Sequence, residues 1–285
     1  MNFEPSFTRY LAAKKSVDDR ALNRNVWDAF CRALPMQSPD APLRVIEVGA
    51  GIGTMIERLI ARAVLTNARY TAIDLDAANI AELNRRVSST PDIRIEAHAI
   101  DVFDFSARAT QTWDVLIAHA FLDLLDVPRA LPLLFNLIRH GGLFYFTINF
   151  DGATIFEPTI DATFDAEIER VYHSTMRDSQ TGRHLVRWLR DAGATIIQAG
   201  SSDWIVSGDA AGYANDEAYF LHFIIETMRG ALQDRPEFAS QRDRLLEWIA
   251  CRHRQVEQGT LVYIAHQIDF VGRVVGTRTN AEERG

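Results

Sequence analysis

The stretch Val45-Ile46-Glu47-Val48-Gly49-Ala50-Gly51-Ile52-Gly53-Thr54 decides the fold. Val45, Ile46 and Val48 read as a short buried strand, and three glycines follow at alternate positions. Beyond them Met55, Ile56, Leu59, Ile60, Ala63 and Val64 recur at helical spacing. Strand, glycine turn and helix predict a nucleotide-type loop at the carboxyl end of a first parallel strand. Gly49 and Gly51 let the backbone turn tightly and approach a ligand. The free N–H groups of the helix that starts near Thr54 face that ligand.

Moving outward, residues 70–73 read as a second strand that ends in Asp74-Leu75-Asp76. Asp74 lies 21 residues past Gly53 (74 − 53), where a strand-tip acid hydrogen-bonds ribose hydroxyls. Asp76 reads as the N-cap of the next helix. A third strand, 93–100, ends at Asp101-Val102-Phe103. A fourth, 115–118, closes on His119-Ala120-Phe121-Leu122-Asp123, so His119 sits at the carboxyl end of a central strand. A helix from Asp126 carries Leu131, Leu134, Phe135 and Ile138 and stops at Gly141-Gly142. A fifth strand, 143–150, is apolar almost throughout, as a strand covered on both faces should be. Strands alternating with helices predict an α/β, doubly wound, mostly parallel sheet. Residues 151–181 then read as a long excursion with few elements. A sixth strand, 194–199, continues through Trp204, and a second excursion, 207–259, holds two helices. A final strand spans 260–270, with His266 read as a core histidine.

Composition limits the partners. The 285 residues are 47% hydrophobic and carry a net charge of −8, which leaves no basic surface for a phosphate backbone. Cys31 and Cys251 stand in no metal spacing and read as reduced thiols, so no metal is expected. No apolar run reaches membrane-spanning length. The expected setting is the cytoplasm and the expected partner a small molecule, without nucleic acid or membrane; a homodimer stays open. Pro35, Pro39 and Pro42 mark a linker after the N-terminal helical residues, and the tail from Gly272 reads as frayed. The polar run Lys14, Lys15, Ser16, Asp18, Asp19, Arg20 reads as a solvated helix face.

The glycine spacing separates two nucleotide readings. A dinucleotide loop has G-x-G-x-x-G; here the third glycine comes one residue early and Glu47 lies two residues before the first. The pattern Glu47-x-Gly49-x-Gly51-x-Gly53, with Asp74, Asp101 and the loop after the fourth strand, resembles the class I S-adenosylmethionine (SAM) dependent methyltransferases of small-molecule type. That resemblance implies a seven-stranded sheet with an antiparallel seventh strand. It implies SAM as cofactor, with Glu47 facing its cationic end and Gly49, Ala50, Gly51 and Gly53 as the bend. Asp74 and Leu75 would lie at the ribose, and Asp101 and Val102 at the adenine. His119 would lie beside the sulfonium, and Arg20 would meet a carboxylate from a helical cap over residues 1–40. Because a seventh antiparallel strand starts at the carboxyl face, the insertions 151–181 and 207–259 must both roof that face in a domain spanning 41–285. Tyr172, His173, Trp204, Tyr219 and His222 then become candidate substrate residues, and His119, His173 and His222 candidate bases. The expected activity is methyl transfer to a small, partly apolar or aromatic metabolite. A SAM-binding protein without transfer, or one with another SAM-dependent reaction, is the alternative. An NAD(P)-dependent oxidoreductase is disfavoured by the glycine spacing and by the lack of a Tyr-x-x-x-Lys pair. The strand-four loop lacks the N/D-P-P-Y form and the Pro-Cys pair of nucleobase methylases.

Overall fold

The computed structural model describes residues 4–38 and 40–275. Pro39 and the tail 276–285 lie outside the described residues. Two helices come first, α1 (Phe7–Ala21) and α2 (Arg24–Ala33). The sheet strands are β1 (Leu43–Val48), β2 (Ala68–Asp74), β3 (Ile93–Ala99), β4 (Trp113–His119) and β5 (Ile138–Glu157). They alternate with α3 (Thr54–Ala61), α4 (Ala77–Arg86), α5 (Val102–Arg108) and α6 (Val127–Phe135). Then follow α7 (Ala162–Ser174), α8 (Thr181–Asp191), β6 (Ala194–Ser201), β7 (Trp204–Ser207), α9 (Glu217–Leu232), α10 (Arg242–Glu257) and β8 (Val262–Val274).

The strand order is β3-β2-β1-β4-β5-β8-β6, with β7 pairing β8. β1 to β5 are parallel neighbours, and β8 runs against both β5 and β6. This is the doubly wound layout expected, with eight strands where seven were predicted. The extra one is β7: the expected continuation of strand six is broken after Ser201 and resumes at Trp204 on the same partner, β8. One sheet face packs on Val26, Trp27 and Phe30 of α2 and on Met55, Ile56 and Leu59 of α3. The opposite face packs on Leu131 and Leu134 of α6 and Leu185 and Leu189 of α8.

Four expectations about the chain change here. Residues 151–157 are not irregular: β5 runs on to Glu157, past a register shift at Gly152 (φ +79°), and pairs with the first residues of β8. β5, β8 and β7 therefore rise beyond the sheet's carboxyl edge as a three-stranded ribbon. The helix expected to reach Gly141 stops at Phe135, because Ile138 is already paired with Trp113. His266 is not a core histidine. In the ribbon only one face of β8 is buried, the one that carries Tyr263, Ala265 and Gln267. His266 lies on the other face, 36% exposed in its side chain, with Nδ1 2.7 Å from Asp203. The frayed tail begins later than Gly272, since β8 is paired through Val274.

A third apolar cluster sits above the carboxyl edge. It joins Ala13 and Val17 of α1, Phe164 and Ile168 of α7, Phe220 and Ile225 of α9 and Trp248 of α10 to the ribbon residues Trp204, Tyr263 and Ala265. Among the described residues no helix is long and apolar enough to cross a membrane.

Candidate functional site

The glycine bend is fixed by packing as much as by any ligand. Gly49 has φ +67°, and a Cβ there would meet the Phe121 ring at 2.3 Å. Gly53, at φ +84°, starts α3 in the left-handed conformation, and a Cβ would meet Leu83 at 2.9 Å. Gly53 thus packs on α4 and does not line the cavity. Asp74 ties the bend to the tip of β2. Its Oδ2 accepts from the Gly51 N–H at 2.8 Å, and its Oδ1 accepts from the Asp76 N–H and Asn79 Nδ2. Asp76 caps α4 through the Ala78 N–H, and Asp101 caps α5 through the N–H groups of Phe103 and Asp104. Glu47 is buried and accepts a hydrogen bond from the Tyr70 hydroxyl at 2.8 Å. Burial pushes its carboxyl up to about 8 against that bond.

The polar run of α1 is not a solvated face. Lys14 and Asp18 are buried, and Asp18 is the centre of a network between α1, β4 and β7. Its Oδ2 accepts from Lys14 Nζ at 2.7 Å and lies 2.9 Å from His119 Nε2; its Oδ1 accepts from Trp204 Nε1 at 2.8 Å. Burial alone would raise the Asp18 carboxyl, but Lys14 and His119 hold it well below the usual range. His119 Nδ1 meets the Thr147 hydroxyl at 2.7 Å. With Asp18 ionised, Nε2 carries the ring proton and Nδ1 accepts from Thr147. Burial lowers the His119 pKa to about 4, so the ring is neutral, and both of its nitrogens have protein partners.

These groups border one cavity of about 880 Å³. At one end are Glu47, Gly49, Ala50, Gly51, Asp74, Leu75, Asp101, Val102 and His119. At the other are Tyr10, Phe150, Tyr172, Trp204, Phe223 and Tyr263. Of the five predicted substrate residues, Tyr172 and Trp204 line it and the other three do not. His173 turns toward β5, with Nε2 3.0 Å from the Thr154 hydroxyl. Tyr219 accepts from the Ser6 N–H beneath Arg9. His222 packs on α10, with its Nδ1 2.7 Å from that of His253. Helical spacing put Tyr219 and His222 on one stripe, but that stripe faces α1 and α10. Arg20 is also outside the cavity: its guanidinium is bidentate on Glu217 at 2.5 and 2.9 Å. The charged α1 residues that do reach the cavity are Lys14 and Asp18. Sequence reasoning missed them together with Asp123 and Gln267; the Lys14–Asp18 spacing of four was the sole local signal. Among the described residues no group of three or more His, Cys, Asp or Glu is placed to hold a metal ion.

Comparison with known proteins agrees with this fold. Residues 46–144 match the family model described as a methyltransferase domain. A tRNA1(Val) (adenine(37)-N6)-methyltransferase from Serratia proteamaculans (strain 568) is 29% identical over 77 residues. That match spans 27% of this chain and 29% of the relative's length. Among solved structures, a proposed methyltransferase of Bacillus halodurans C-125 superposes with a TM-score of 0.51 at 11% identity, over 87% of this chain and 98% of that one. The Haemonchus contortus phosphoethanolamine N-methyltransferase 2, in complex with phosphomonomethylethanolamine and S-adenosylhomocysteine, gives 0.50 at 14% identity, over 95% and 58%.

Proposed function

We propose that this chain, whose residues 46–144 form a methyltransferase domain on the class I SAM-dependent fold, moves the methyl group of SAM to a small, partly apolar or aromatic molecule. One observation carries the reading: the glycine bend and the strand-tip acids share a single cavity with an aromatic roof. Residues 151–181 and 207–259, with the N-terminal helices, act as the substrate-covering part of the molecule.

The residues present fit the cofactor. Seven carboxyl side chains line the cavity (Asp18, Glu47, Asp74, Asp76, Asp101, Asp123 and Asp178) against two basic ones, Lys14 and Arg177. A cationic nucleoside suits that wall, and a diphosphate does not. Asp74 would hold the ribose, since its Oδ2 takes one hydrogen bond and a carboxylate oxygen can accept two. Glu47 would face the cationic end, and a cation brought against it favours its ionised form. Asp101 and Val102 would border the adenine. SAM supplies an already activated methyl on a positively charged sulfur. The chain's task is then to align the acceptor and to exclude water. His119 belongs to that task as a positioning residue, because both of its nitrogens are engaged.

The net charge and the strand-four loop weigh against a nucleic-acid acceptor, as does the roof over the cavity. Two measurements test the proposal. Calorimetric titration should show binding of SAM and S-adenosylhomocysteine and none of NAD. Tritium from the methyl group of SAM should then appear in a component of a metabolite extract. Binding without transfer would make the chain a SAM-binding protein, and NAD binding in place of SAM would overturn the reading.

A further inference from the structure

The chain has seven tyrosines, and their hydroxyls divide by what they meet. Those of Tyr70, Tyr213 and Tyr219 donate to Glu47, to the Leu261 carbonyl and to the Glu4 carbonyl. That of Tyr145 has no partner and is sealed in the core. The other three, on Tyr10 of α1, Tyr172 of α7 and Tyr263 of β8, have no hydrogen-bond partner among the described residues and are not sealed. They open onto the cavity that all three residues line. Each of the three phenols acts electrostatically on the others, so they lie close together. Three separate elements therefore bring three unmet hydroxyls to one end of the cavity. Packing does not call for these oxygens, since phenylalanine would fill the same places.

The rings themselves are engaged. Tyr10 stacks on Phe223 at 4.2 Å and on Phe220 at 5.7 Å, and Tyr263 lies 5.1 Å from Phe156. What these side chains offer a ligand is the hydroxyl. Burial holds all three well above the ordinary phenol value, Tyr172 at about 12, so each keeps its proton at neutral pH. A phenol O–H is a strong donor, and its oxygen, whose lone pair is shared with the ring, is a weak acceptor. Once water is displaced, a donor left unmet in the cavity is costly. A ligand seated here must therefore bring acceptor atoms. Charge decides which kind. Asp18 and Asp123 raise Tyr10 by repulsion, and the same field works against an anion. Lys14, the nearby cation of α1, is already paired with Asp18. A cation would bring donors to a place that already has them.

We propose that the methyl acceptor is an uncharged aromatic molecule carrying an ester-type carbonyl group, and that the hydroxyls of Tyr10, Tyr172 and Tyr263 select it by donating to its oxygens. The inference rests on the methyltransferase reading above and deepens it. A carbonyl oxygen has two lone pairs, and the oxygen beside it offers a third site, which matches three donors. The tyrosines are specificity-determining residues: they orient the acceptor and take no proton from it.

The test titrates four matched probes into the full chain loaded with S-adenosylhomocysteine: methyl 4-methylbenzoate, 4-methylbenzoate, 4-methylbenzylamine and 1,4-dimethylbenzene. The ester should bind at least about tenfold more tightly than the acid, the amine or the hydrocarbon. Tyr10→Phe, Tyr172→Phe and Tyr263→Phe should each weaken the ester by roughly three- to tenfold, the worth of one hydrogen bond. The same variants should bind the hydrocarbon and S-adenosylhomocysteine within about twofold of the wild type, because only an oxygen is removed and the packing stays. A loss shared equally by ester and hydrocarbon would mean that the hydroxyls serve the fold, and it overturns the proposal. So does preferred binding of the acid or the amine, binding of none of the four, or full ester affinity in all three variants. Failure of the wild type to bind S-adenosylhomocysteine is a different result, and it removes the methyltransferase reading itself.

Discussion

Asp74 holds the loop together, and in the proposed function the same side chain also holds the ligand. Its carboxylate accepts the Gly51 N–H, the Asp76 N–H and Asn79 Nδ2, and so holds the glycine bend against the tip of β2. Asp74→Ala removes these tethers together with the proposed ribose acceptor. Hydrogen bonds to a charged group contribute roughly 1.5–3 kcal/mol each, so SAM affinity should fall by about a hundredfold or more. Calorimetry on a variant with an unchanged circular dichroism spectrum checks this, and wild-type affinity there would refute the ribose role. Asp74, like Glu47 and Asp101, was legible because its place follows from distance along the chain to the glycine bend. Asp18 was not. Its partners His119 and Trp204 lie 101 and 186 residues away, and no local pattern announces such pairings. A lysine and an aspartate four apart on a helix look the same whether water or another element covers them.

Among the elements, α1 carries the most consequence. It lies on α9 and β7, and through Asp18 it is fastened to β4. Burial keeps His119 neutral in that fastening. Its pKa drops from 6.5 to about 4 on folding, so the unfolded chain binds more protons between those values. The stability contributed is fully present above pH 6.5 and is lost as pH falls through about 4. Melting temperature should therefore decline on acidification across this window. His119→Gln, which keeps a donor and an acceptor but cannot charge, should start lower and decline less. Equal slopes in the two proteins would mean that other groups govern acid lability. The roof helix α9 was legible in its bounds but not in its facing. Phe220, Leu221, Ile225 and Leu232 are fully buried in the upper cluster, so α9 cannot be excised without exposing that core. Helical spacing shows that a stripe exists; which neighbour meets it depends on tertiary packing.

On the scale of the molecule, the doubly wound core was legible because each strand ends in a turn with its own chemistry. The position of helices above the carboxyl edge followed from topology, and the ribbon behind them did not. Gly152 interrupts the alternation along β5, and the break after Ser201 interrupts it along strand six. The ribbon changes what kind of molecule this is. β5 places Tyr145 in one sheet-face cluster, Phe144 and Phe146 in the other, and Ile148 and Phe150 in the roof cluster. β8 does the same with Val271, Phe270 and Tyr263. Two strands thus run through all three apolar clusters, and neither end of the cavity has a core of its own. Ile148 tightens the join. It holds φ +58°, an outlier for a β-branched residue, while its N–H donates to Asp269 at 2.7 Å, and Asp269 also accepts from Asn23 between the first two helices. Chains of this length often unfold in steps. Here the roof and the sheet should unfold together. In urea, near-ultraviolet circular dichroism, which follows the ordered aromatics of the roof and of both sheet faces, should give a single transition with the same midpoint as far-ultraviolet circular dichroism, which follows the helices throughout. Separated midpoints, with the aromatic signal lost first, would mean that the roof is an independent lid over a self-sufficient core, and that the continuity of β5 and β8 does not couple them.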